Sequence, residues 1–216
     1  MKNILTLLTV LITFQTFAQD PNRYKKQVSE LDTKYDSIWD PSRETIVFTG
    51  SSSIRMWKDV QERFPDQQVI NTGFGGSQAS DLLYFADNLI LRYKPKQVFI
   101  YEGDNDIQAK KKPNDVIADT KQIINLVRER YPATNIVLIS AKPSISRWKL
   151  RGKYKRLNRK FKRMAQKDPL LDFADVWKPM LDGRKLQEDL FIEDGLHMNL
   201  KGYEIWFGVM KDYITN

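Results

Sequence analysis

Five short apolar runs, each followed by a stretch of helical character, constrain this chain more than any other feature. TIVFTG (residues 45–50), QVINTG (68–73), QVFIYEG (97–103), NIVLIS (135–140) and LLDFAD (170–175) are rich in β-branched and aromatic residues. That composition suits strands, several of them buried on both faces. Helical patterns lie between them, around residues 53–63, 80–93, 113–131 and 148–166, with a last one over 200–213. Strand alternating with helix predicts right-handed crossovers and a parallel sheet covered by helices on both sides. Upstream, Tyr24, Val28, Leu31, Tyr35 and Ile38 recur at steps of four, three, four and three. They predict an amphipathic helix within residues 19–44, packed on the domain and stopped by Asp40-Pro41.

The chain has 216 residues. Residues 1–18 read as a secretory signal peptide. Lys2 supplies the positive start, an apolar run follows, and Thr16-Phe17-Ala18 places small residues before Gln19. The run is too short to cross a bilayer comfortably, and no second one follows, so no stable membrane insertion is expected. The expected product is one exported domain, residues 19–216, periplasmic or extracellular. Without cysteine, it has no disulfides, thiolate nucleophile or cysteine metal site.

Formal charge is +8, and eleven Lys and Arg with no Asp or Glu fall between Arg147 and Lys167. Nucleic acid or an anionic membrane is the tempting partner. Yet Leu150, Tyr154, Leu157, Phe161 and Met164 form a core-facing stripe in the same segment, which turns the bases to solvent. No other nucleic-acid signature accompanies them, so no nucleic-acid partner is expected. The sequence leaves the oligomeric state open.

In open parallel sheets ligands bind beyond the carboxyl ends of the strands. Three successive loops there carry glycine and polar residues: Gly50-Ser51-Ser52-Ser53, Gly73-Phe74-Gly75-Gly76-Ser77 and Gly103-Asp104-Asn105-Asp106. A serine hydroxyl attacks only with a base beside it and an orienting group behind that base. The single histidine, His197, follows Asp194 by three residues in EDGLHMN. An acyl transfer also needs donors for the developing oxyanion. Gly76 can offer a bare N–H, Asn105 its side-chain amide, and the nucleophile its own N–H at a helix start. Turn and capping roles for Gly76 and Asn105 remain open on spacing alone.

Together FTGSSSIRMW (48–57), NTGFGGSQASDLL (71–83), YEGDNDI (101–107) and DGLHMNLKGY (194–203) resemble the four ordered blocks of the SGNH hydrolases, also called GDSL esterases and lipases. The resemblance is closest to secreted bacterial members with the GSSSIRxW form. It implies a flavodoxin-like three-layer α/β/α sandwich with a five-stranded parallel sheet, and no metal or organic cofactor. It implies Ser52 as nucleophile, His197 as base, Asp194 as its partner, and Ser52, Gly76 and Asn105 as the oxyanion hole. Ser51 stands where the family has Asp, which leaves local hydrogen bonding and substrate preference open. KPSISRW (142–148) then falls at the rim of the site, with Trp57, Arg147 and Trp148 as candidates for a substrate pocket; core packing is the alternative for both tryptophans.

The expected activity is hydrolysis of a small-molecule or glycan ester through an acyl-enzyme on Ser52. A carbohydrate O-deacetylase or O-acyltransferase is the alternative on the same fold. A non-catalytic binding module is a third, and it gives no reason for a lone histidine beside Asp194.

Overall fold

The computed structural model describes residues 20–214; the expected signal peptide lies outside them. In chain order the elements are α1 (Lys25–Asp36), β1 (Thr45–Gly50), α2 (Ser52–Arg55), β2 (Gln68–Asn71), α3 (Ala79–Tyr84), α4 (Ala86–Leu89), β3 (Gln97–Tyr101), α5 (Asp104–Gln108), α6 (Pro113–Arg130), β4 (Asn135–Ile139), α7 (Arg151–Ala165), β5 (Leu171–Ala174), the two-residue strands β6 (Leu181–Asp182) and β7 (Lys185–Leu186), and α8 (Leu200–Met210). Strands β1 to β5 form one sheet in the order β2-β1-β3-β4-β5. Every pairing in it is parallel.

Side-chain alternation along the central strands sets the layers. Val47, Val98, Ile100, Ile136 and Leu138 face one core, which α1, α3, α6 and α7 close with Val28, Leu82, Ile123 and Leu157 among others. Ile46, Phe48, Phe99, Tyr101, Val137 and Ile139 face the other, closed by Ile54 of α2 and by Tyr203, Trp206 and Met210 of α8. A period of two with both faces covered is what a parallel sheet between helical layers demands. This is the three-layer α/β/α sandwich. Phe48 and Phe99 stack across β1 and β3 at 4.3 Å, and burying each ring fully contributes about 1.5–3 kcal/mol.

Several helical stretches differ from their sequence reading. The stretch over 53–63 shortens to α2 because the Asn71 amide donates to the carbonyls of Ile54 (2.8 Å) and Trp57 (3.1 Å). Ile54 O also accepts the Trp57 N–H at 2.9 Å, so a side chain from the end of β2 caps α2 at a last tight turn. The stretch over 80–93 divides into α3, α4 and a 3₁₀ turn at Leu91–Tyr93, which Lys94 closes with φ +47°. A β6–β7 hairpin follows the sheet; its turn is Gly183-Arg184, with Gly183 at φ +59°. In α7 Tyr154, Leu157 and Phe161 are buried, and Arg151, Lys153, Lys155, Arg156 and Arg159 are exposed. The basic run is therefore the outer face of a core helix.

The strand order reverses at β1: β2 lies on one side of it and β3 on the other. The crevice at the carboxyl ends of β1 and β3 is thus the switch point where such sheets bind ligands.

Candidate active site

Gly50 ends β1 and decides how the serines leave the sheet. Its φ is +122°, and a Cβ there would lie 2.1 Å from the carbonyl oxygen of Tyr101 on β3. Only glycine lets the chain pass that close. Ser51 then becomes the N-cap of α2 in extended conformation, and its N–H donates to Tyr101 O at 3.1 Å. The second loop is pinned to the same place by the N–H of Phe74, which donates to Gly50 O at 2.8 Å.

Of the three serines, Ser51 and Ser53 are 2% and 3% exposed. Ser52, half-buried at the first position of α2, carries its Oγ 2.9 Å from His197 Nε2. On the far side of the ring His197 Nδ1 stands 2.5 Å from Asp194 Oδ2. The Asp194 carboxylate also accepts the N–H groups of Leu196 and His197, both at 2.8 Å, on Oδ1. Partial burial pushes its pKa up, but the His197 ring and these two backbone donors outweigh that and hold it at about 2. A carboxylate that stays ionised and accepts from Nδ1 fixes the imidazole tautomer with Nε2 open toward Ser52.

Gly76 has φ +76° in an exposed turn, where a Cβ would meet nothing nearer than Tyr24 Oη at 3.7 Å. Conformation, not space, calls for glycine there. Asn105 is the second residue of α5, and its Nδ2 donates to Ser77 O at 2.8 Å. Its Oδ1 accepts from Arg147 at 3.0 Å. An amide has two N–H groups, so this arrangement uses one and leaves the other for a ligand. The first-turn N–H of Ser52 has no acceptor within its helix. These three donors sit at the ends of β1, β2 and β3.

One of the substrate-pocket candidates, Trp57, needs correction. Trp57 is fully buried: its indole packs on Phe48, Tyr203 and Trp206, and no surface is left for a substrate. Trp148 is half-buried and stacks on Trp177 at 6.3 Å and 13°. The Arg147 side chain is 14% exposed and engages Asp104 and Asn105. Sequence reasoning passed over Asp104, Lys142 and Tyr154, which lie behind Asn105; the polar GDND loop marked the place but not which carboxylate turns inward. Among the described residues, no group of three His, Cys, Asp or Glu is placed to hold a metal ion.

Residues 36–205 match the family of GDSL-like Lipase/Acylhydrolase proteins. The chain is similar to a solved structure assigned as a platelet activating factor from Streptococcus pneumonia, with 26% identity, 89% of this chain and 94% of that one covered, and a TM-score of 0.76. It shares its fold with a GDSL-like lipase from Bacteroides thetaiotaomicron (19% identity, 90% and 96% covered, TM-score 0.73). The same holds for a catalytic mutant of an acetylxylan esterase from Geobacillus stearothermophilus (16% identity, 78% and 93% covered, TM-score 0.66). No curated protein matches the chain.

Proposed function

Since the chain belongs to the GDSL-like lipase/acylhydrolase family, within the SGNH superfamily of carboxylic ester hydrolases, we propose that it cleaves its ester through an acyl-enzyme on Ser52. The observation that carries the proposal is the continuous line from Ser52 Oγ through the His197 ring to Asp194, at 2.9 and 2.5 Å.

Ser52 Oγ attacks the ester carbonyl carbon while its proton passes to His197 Nε2. The carbonyl oxygen becomes an oxyanion, held by the N–H groups of Ser52 and Gly76 and the free N–H of Asn105. Asp194 stabilises the imidazolium that forms. Collapse breaks the bond to the alcohol oxygen, which takes the proton from Nε2 and leaves. Water then attacks the acyl-enzyme, giving its proton to Nε2. Ser52 departs with that proton and the carboxylic acid is released.

A second reading narrows the substrate to an O-acetylated glycan. Its support is the fold shared with an acetylxylan esterase. A panel of esters varying in acyl length and sugar content separates the two readings: release of acetate from acetylated xylan or peptidoglycan in preference to longer acyl groups favours the second. Activity equal in wild type and Ser52→Ala would overturn both.

Export is part of the proposal, on the strength of the leader-like residues 1–18. A secreted chain beginning at Gln19 by mass spectrometry is the expected result, and an intact N-terminus in a cytoplasmic fraction would contradict it.

A further inference from the structure

Behind Asn105 lies a carboxylate that the mechanism does not use. The Asp104 side chain is 5% exposed. Its Oδ1 accepts from Arg147 at 2.7 Å and from the Tyr154 hydroxyl at 2.8 Å. Its Oδ2 accepts from the Tyr101 hydroxyl at 3.1 Å and lies 3.8 Å from Lys142 Nζ. The Lys142 side chain is fully buried and donates to the carbonyl of Leu196 at 2.6 Å. Leu196 is therefore held through both its carbonyl and its N–H, the latter bound to Asp194.

Buried ion pairs are poor sources of stability, because desolvating the charges offsets their attraction. One that reaches two parts of a reactive site has a different use. The same Arg147 nitrogen that binds Asp104 also donates to Asn105 Oδ1. A guanidinium can only donate, so it compels the amide to present its oxygen to Arg147 and its NH₂ to Ser77 and the open site. The guanidinium charge beside Oδ1 also polarises the amide, which strengthens its remaining N–H as a donor.

We infer that Arg147 is a positioning residue of the oxyanion hole, and that Asp104 and Lys142 tie it to the loop bearing His197, so that both halves of the site share one buried frame. The inference rests on the acyl-transfer reading above for its kinetic consequence, but not for its structural one.

The test is Arg147→Ala, in which Asp104 keeps Lys142, Tyr101 and Tyr154. Arg147→Lys keeps the charge without the planar fork, and serves should the alanine variant not fold. For hydrolysis of a p-nitrophenyl ester, kcat is expected to fall roughly 100-fold, the scale of a misplaced reacting group. KM should stay within about threefold, as expected for a loss confined to the transition state. Millimolar guanidinium ion should restore part of kcat in Arg147→Ala. Lys153→Met, which removes an exposed charge on α7, should match wild type.

A readout independent of activity is the ¹H–¹⁵N spectrum of the Asn105 side chain. Two resolved amide resonances are expected in wild type, the one bonded to Ser77 O protected, and mobile, solvent-like ones in Arg147→Ala. A raised KM with kcat intact would make Arg147 a substrate contact and overturn the inference. So would unchanged kinetics with an unchanged amide spectrum, or a kcat loss that guanidinium does not relieve. If wild type hydrolyses no ester, the acyl-transfer reading falls, and the amide spectrum still decides whether Arg147 orients Asn105.

Discussion

Ser52 Oγ and His197 Nε2 stand 2.9 Å apart although 145 residues separate them. One residue comes from the turn after the first strand, the other from the loop before the last helix. The sheet order brings them together: β1 and β3 are neighbours, and the histidine loop is held over their ends by Lys142, which donates to Leu196 O.

The Asp194 carboxylate stands 2.5 Å from His197 Nδ1 without being far from solvent. Asp194→Asn is expected to lower kcat about 10²–10⁴-fold, because the amide can stabilise the wrong tautomer and cannot offset the imidazolium charge. Asp194 is held at about 2: partial burial pushes it up, and its hydrogen bonds with His197 and Leu196 more than reverse that. Its charge is therefore lost only as pH falls toward that value. A pH profile of kcat/KM should show no inflection near the ordinary carboxylate value of about 4 attributable to Asp194; an inflection there that vanishes in Asp194→Asn would contradict this.

Buried carboxylates near the loops of Gly76 and Asn105 give the fold a pH dependence of the opposite sense. Burial, with Asp106 beside it, pushes Glu102 well above the usual range, against a hydrogen bond from Ser77. Burial likewise raises Asp106 to about 6, although Lys111 and the Ala79 N–H pull it down. For such groups the folded state binds protons more tightly than the unfolded chain. Their contribution is then most favourable below about pH 4 and is lost as pH rises through the raised values. Glu102→Gln keeps an acceptor for Ser77 and removes the charge. Urea denaturation from about pH 4 to 8 should show the variant gaining on wild type as pH rises. Parallel curves would rule out this origin.

Gly50 is a geometric requirement of the turn that presents Ser52. Gly50→Ala places a Cβ against the Tyr101 carbonyl at positive φ. A loss of about 1–3 kcal/mol or more is expected, measurable by chemical denaturation. A loss within about 0.5 kcal/mol, the scale of a neutral surface change, would show that the turn can relax.

Trp57 is a core residue, in contrast to the pocket role its sequence neighbourhood suggested. Trp57→Phe should destabilise the protein by about 1–3 kcal/mol and leave the ratio of kcat/KM between short-chain and longer-chain esters unchanged. A changed ratio would return Trp57 to the substrate pocket.

The sheet was legible because its strands are buried on both faces, so hydrophobic runs such as VFIY mark them directly. The glycine-bearing loops were legible for a related reason: polar residues after such runs must lie at strand ends. Helix lengths were less so. Asn71, 17 residues after Ile54 and 14 after Trp57, caps their carbonyls at the end of α2, and no local pattern records that contact. The same limit applied to the tryptophans and to Arg147. Whether Trp57 faces the core or a cleft depends on what packs against it from α8, and for Trp148 it depends on where Trp177 stands. Whether an arginine meets substrate or a buried aspartate depends on where α5 and α7 cross. The basic run on α7 was legible, because Tyr154, Leu157 and Phe161 fix its inner face.

Ser52, not Ser51 or Ser53, is the proposed nucleophile. Treat the folded protein with a fluorophosphonate and locate the adduct by peptide mass spectrometry, alongside Ser52→Ala, Ser51→Ala and Ser53→Ala. A single adduct on Ser52, absent only from Ser52→Ala, is the expected result. An adduct on Ser51 or Ser53 in wild type, or labelling and ester hydrolysis that persist in Ser52→Ala, would contradict it.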